Sequence, residues 1–94
     1  MDKQKREEFY ASLKMKLDEQ ETWPTVYLYK FIIPADNKKL AKVMELFGEG
    51  AQITTRESRK GNYLSVSAKE VMMTSGHVIE TYQKAEHIEG LISL

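Results

Sequence analysis

Between Thr25 and Ile33 the chain runs through nine residues dominated by aromatic and β-branched side chains and stops at Pro34, the pattern of a strand with a defined end. Side chains alternate across a strand, so Tyr27, Tyr29, Phe31 and Ile33 share one face and Val26, Leu28, Lys30 and Ile32 share the other. Three aromatics and an isoleucine on one face must be covered by a second layer, because that much apolar surface is costly in water. The first task of the rest of the chain is to supply that layer and the neighbouring strands.

The layer is readable on both sides of a central hairpin. Asp36 or Asn37 can cap a helix in which Leu40, Val43, Met44 and Phe47 recur at i, i+3, i+4 and i+7, which places Met44 on a core stripe. Gly48 falls where a left-handed C-terminal cap is expected. Ala51 to Ser58 alternates loosely as a second strand, Arg59-Lys60-Gly61-Asn62 supplies a turn, and a third strand runs from Tyr63 to about Met72. In that strand Leu64, Val66 and Ala68 lie on one face, opposite Tyr63, Ser65, Ser67 and Lys69. Thr74 or Ser75 can cap a second helix carrying Val78, Ile79, Tyr82 and Ala85; Ile88 and Gly90 lead to a short last strand, Leu91 to Leu94.

Ahead of this unit, Lys3 to Gln20 reads as a helix with a narrow stripe of Phe9, Leu13 and Leu17, Tyr10 beside it, and supporting pairs Lys3 with Glu7 and Lys14 with Asp18. Trp23-Pro24 ends it. The stripe fits either its own sheet or a neighbouring subunit. The order strand, helix, strand, strand, helix, strand with short connections predicts an α+β fold. It is a ferredoxin-like βαββαβ two-layer sandwich, with a four-stranded antiparallel sheet, two helices on one face and an additional N-terminal helix. Residues 1–22 are expected to form the helix and residues 23–94 the sandwich.

Ninety-four residues suit one domain. Fourteen basic residues balance fourteen acidic ones, so no global field draws in a polyanion or an anionic membrane. The mixed charges at the N-terminus do not read as a secretory signal, no stretch is long and apolar enough to span a membrane, and there is no cysteine; a cytoplasmic protein is expected.

Catalysis finds little support, since His77 and His87 are ten residues apart and no metal-ligand, thiol or nucleophile-elbow pattern exists. Gly48-Glu49-Gly50 follows a helix, whereas a phosphate-cradling loop follows a strand, and Lys60-Gly61 leads into a strand without the hydroxyl residue of a P-loop. No enzyme activity, cofactor or metal is expected. The sharper feature is the polar face of the third strand. Tyr63, Ser65, Ser67 and Lys69 can share the open side of the sheet with Lys30 and Arg56, and Arg59, Lys60 and Asn62 stand at its rim. Hydroxyls and cations together suit a small anionic effector or a carboxylate-bearing protein partner. Val26, Leu28 and Ile32 on the same side suit a subunit interface, so a dimer or larger homo-oligomer is expected. RNA-binding sandwiches stack bases on that face with first-strand aromatics; here those aromatics point to the core, so no nucleic-acid partner is expected.

Two stretches carry a family resemblance: Trp23-Pro24-Thr25 leading to Tyr29-Lys30, and Ser58-Arg59-Lys60-Gly61-Asn62-Tyr63 leading to Ser65-Val66-Ser67. With Val78, Tyr82 and Ile88 they make residues 22–94 resemble the YbeD-like family of small bacterial proteins. That resemblance implies an ACT-like regulatory fold and a label of lipoate-pathway regulator. ACT-type domains bind effectors near the loop after the first strand, often at a glycine. Here that loop reads Pro34-Ala35-Asp36-Asn37, so an effector site of the usual kind is not expected.

Overall fold

The computed structural model describes residues 2–94. Its elements are α1 (Lys3–Gln20), β1 (Thr25–Pro34), α2 (Asn37–Met44), β2 (Gln52–Glu57), β3 (Tyr63–Met72), α3 (Ser75–Ala85) and β4 (Ile92–Ser93). The sheet order is β2-β3-β1-β4 with every pairing antiparallel, which is the ferredoxin-like α+β arrangement. β1 and β3 pair along their full length, from Thr25 opposite Met72 to Pro34 opposite Tyr63.

The alternation read in β1 is the alternation of burial. Tyr29, Phe31 and Ile33 are fully buried under the helices, while Val26, Leu28 and Lys30 point away from them and are exposed. Val66, Ala68 and Met72 of β3 join the buried face, met by Val43 of α2 and by Val78, Ile79 and Ala85 of α3. An aromatic cluster fills the middle: the Tyr29 ring lies 4.7 Å from Tyr27, 5.2 Å from Phe47 and 5.3 Å from Tyr82 between centroids. Such tilted and edge-on pairs contribute about 0.5–1.5 kcal/mol each beyond simple burial.

Side-chain oxygens start all three helices. Asp2 accepts from the Lys5 N–H, Asp36 from the Lys38 N–H and Thr74 from the His77 N–H. α1 packs on its own chain, across α3. Leu17 reaches the core, and Arg6 Nη2 donates to Glu86 Oε2 at 2.6 Å. At its last turn the Asp18 carboxyl is held below its ordinary value, chiefly by the Ser75 hydroxyl at the start of α3 and then by Lys14. The Trp23 indole N–H faces the same carboxylate outside good hydrogen-bond geometry and has no hydrogen-bond partner among the described residues.

Five local expectations are corrected. Met44 is 48% exposed, because α2 ends at that residue and the stripe does not continue. Phe47 still reaches the core, but through a tighter turn in which its N–H donates to Met44 O, one residue short of helical spacing. Gly48 is not left-handed; its N–H instead donates to Glu70 Oε2 at 2.7 Å, which ties the α2–β2 loop to β3. Phe9 is exposed; Tyr10, the next residue round the helix, packs on the core with Leu13 in its place. Among the described residues Lys14 pairs with Asp18 at 3.0 Å, but Lys3 and Glu7 form no ion pair. The last strand is also shorter than expected, two residues rather than four.

Candidate functional site on the open sheet face

Residues directly opposite in an antiparallel sheet project to the same side, so the register assigns the open face row by row. Thr54 of β2, Ser67 of β3 and Lys30 of β1 form one row. Arg56, Ser65, Ile32 and Ile92 form the next, across all four strands. On the other side of the Lys30 row come Gln52, Lys69 and Leu28, and then Val71 with Val26. Tyr63, opposite Pro34, closes the far end beside the β2–β3 turn.

The sequence therefore assigned all six strand residues, Lys30, Arg56, Tyr63, Ser65, Ser67 and Lys69, to the right face. The structure divides them. Lys30, Arg56, Ser65 and Ser67 line one cavity of about 350 Å³, together with Thr54 and Leu94. Lys69 lies outside it, in a shallower depression with Val26, Gln52 and Val71. Tyr63, Arg59, Lys60 and Asn62 border neither; Asn62 instead uses its backbone carbonyl to accept from the Ala35 N–H at 2.9 Å, which is a structural task. Gly61 makes this turn with φ +76°, and the Ser58 hydroxyl accepts from the Tyr63 N–H.

Phe31, Thr55 and Val66, whose side chains belong to the covered face, also line the cavity, and two further lining residues lie outside the sequence-predicted set. Thr54 had a legible signal, since Gln52, Thr54 and Arg56 share parity on β2. Leu94 had none, because its position depends on β4 returning beside β1, where its N–H donates to the Lys30 carbonyl at 2.9 Å.

The electrostatics of the two ends differ. No Asp or Glu side chain lines the Lys30–Arg56 cavity, and among the described residues neither cation forms an ion pair. Beyond Lys69 the face turns apolar: Val26 is 62% exposed, Val71 58% and Leu28 41%.

A second crevice, of about 430 Å³, lies on the opposite side between α1, α3 and the sheet edge, lined by Phe9, Leu13, Tyr27, Tyr82, Glu86 and Leu94 among others. Four of its polar side chains are already engaged. Tyr10 donates to Glu86, which also receives Arg6, and the Tyr27 and Tyr82 hydroxyls are 3.0 Å apart. Burial, reinforced by Glu86, pushes the Tyr10 hydroxyl up, and burial followed by the Tyr27 contact does the same for Tyr82. Burial raises Tyr29 to about 12. A group with a raised folded-state value stabilises the fold fully below its unfolded value and loses that contribution as pH climbs through the folded one. The fold is therefore expected to weaken progressively above pH 10, the ordinary tyrosine value. Urea midpoints followed alongside tyrosinate absorbance check this: midpoint and ionisation should move together, and a midpoint that stays flat while tyrosines ionise contradicts the assignment.

The family relationship bears on the same residues. A family model described as Protein of unknown function (DUF493) matches residues 18–93, from the last turn of α1 through β4. The chain belongs to that family. The DUF493 match includes every residue of both open-face depressions except Leu94. No curated protein and no solved structure matches the chain. Among the described residues no cluster of three or more His, Cys, Asp or Glu is gathered to hold a metal, and no helix is long and apolar enough to cross a membrane.

Proposed function

We propose that this DUF493 chain is a non-enzymatic, cytoplasmic regulatory or interaction module that works by contact through the open face of its sheet, as a dimer or larger assembly. The observation that carries this reading is the apolar end of that face, where Val26, Leu28 and Val71 stand exposed side by side on β1 and β3. Strands facing water normally alternate to polar residues, and an uncovered apolar patch on the two central strands is the usual mark of a contact surface. A second copy is the occupant proposed. The balanced charge of the chain sets up no long-range repulsion between copies. The YbeD-like resemblance supports a regulatory role of ACT type, and it alone supports a link to the lipoate pathway.

Sedimentation at several protein concentrations tests the assembly. The wild type is expected to associate reversibly, and Leu28→Lys combined with Val71→Lys should leave a monomer with unchanged helix and strand content. Both positions are exposed in the single chain, so these charges cost the monomer fold little. A wild type that stays monomeric at every concentration overturns the reading. Equal association by the double variant moves the interface elsewhere.

A further inference from the structure

We infer that the Lys30–Arg56 end of the open face is a binding site for a small dianion, a phosphate or a dicarboxylate. This deepens the contact-surface reading and rests on it for the assignment of this face to function. The two cations come from strands that are not neighbours, with β3 between them. Two interstrand spacings and a two-residue offset separate their backbones by roughly 12 Å. Both side chains are long enough to lean inward over the hydroxyls of Ser65 and Ser67, with Thr54 at the β2 side. The residues around this cavity of about 350 Å³ thus include one arginine, one lysine and the three open-face hydroxyl residues Thr54, Ser65 and Ser67, with no Asp or Glu among them.

Neither cation has an ion-pair partner among the described residues, so an anion seated between them gains from both. Arginine offers a planar fork matched to two oxygens of a carboxylate or phosphate, lysine a point charge, and serine and threonine hydroxyls can donate to the remaining oxygens. A single negative charge would neutralise one cation and leave the other, which is why the site favours two. Leu94 bounds the cavity side nearest β4 and suits the carbon backbone of a short ligand better than a long polar one. Lys69 and the Val26–Val71 depression lie outside this cavity, so its ligand and the apolar contact occupy different ends of one face.

The test is titration of the full chain, at constant ionic strength, with inorganic phosphate, succinate and the uncharged analogue succinamide, followed by backbone amide chemical shifts. Saturable shifts are expected at Thr54, Arg56, Ser65, Ser67 and Lys30, with phosphate or succinate but not succinamide, and the stronger of the two names the ligand class. Arg56→Gln and Lys30→Gln should each weaken the binding by roughly tenfold or more, as loss of a charge-assisted contact does. Lys69→Gln, a cation outside the cavity, should leave it unchanged. Shifts that follow total salt alone, or that survive in the Arg56→Gln and Lys30→Gln variants, overturn the inference. If no probe binds while the wild type still associates through Leu28 and Val71, the dianion site is refuted and the contact-surface reading stands. If association is absent too, both fall.

Discussion

Replacing Phe31 by alanine is expected to lower the unfolding free energy by about 3–5 kcal/mol, a large share of the stability of a domain this size. Phe31 is 0% exposed at the centre of β1, between Tyr29 at 6.0 Å and Tyr82 at 6.2 Å, with Phe47 at 6.4 Å across the layer. Truncation removes the transfer free energy of a benzyl group and leaves a void walled by three rings. Those rings belong to β1, to α3 and to the turn after α2, so they cannot all close in at once. Urea unfolding gives the figure directly. A loss below about 1 kcal/mol would mean that the cluster is not the packed centre described here.

Gly90→Ala is expected to cost on the order of 3 kcal/mol, from backbone strain and overpacking together. Gly90 has φ +81°, a region that side-chain-bearing residues enter only with strain, and a Cβ there would sit 2.9 Å from Pro34 Cγ and 3.2 Å from Pro34 Cδ. The proline ring is rigid and stands at the end of β1, so relief would have to come from the chain that leads into β4. Gly61→Ala is the matched control. Its φ of +76° is similar, but nothing lies within 4 Å of the added carbon, so only the conformational cost remains, about 1 kcal/mol. Thermal midpoints of the two variants should therefore separate clearly. Equal midpoints would show that Pro34 does not press on this turn.

Gly90 also shows why some of the fold was legible and some was not. The β1 face, the β3 face and the helix caps follow from local period and local chemistry: alternation places Tyr29 and Lys30 on opposite sides whatever the rest of the chain does. The β4 return is set by a distant contact, the packing of residues 88–94 against Pro34 and the β1 backbone, and no local pattern announces that Leu94 will stand beside Lys30. The stripe of α2 misled at Met44 because a periodic pattern does not say where a helix stops; the turn at Leu46 and Phe47 carries Phe47 into the core by another route. The position of Gly48 after the α2 stripe suggests a cap, whereas its role depends on Glu70, twenty-two residues away in sequence.

The candidate site divides along the same line. Parity alone was enough to gather Lys30, Arg56, Ser65, Ser67 and Lys69 on one face, and it could equally have added Thr54. Parity could not divide that face into a cationic cavity and an apolar shelf, because the division depends on which rows lie together and on how far β4 extends over β1. Arg59, Lys60 and Asn62 were gathered with the face by nearness in sequence to Tyr63, and the hairpin carries them past its end.

The measurement that bears most directly on the open face as a contact surface is the concentration dependence of the backbone amide spectrum of the wild-type chain. Dilution should shift or sharpen the resonances of Val26, Leu28, Lys69 and Val71 together, while those of Val43 in α2 and Val78 in α3, on the covered side, stay fixed. Changes confined to the helices, or a spectrum that does not depend on concentration, would contradict the account.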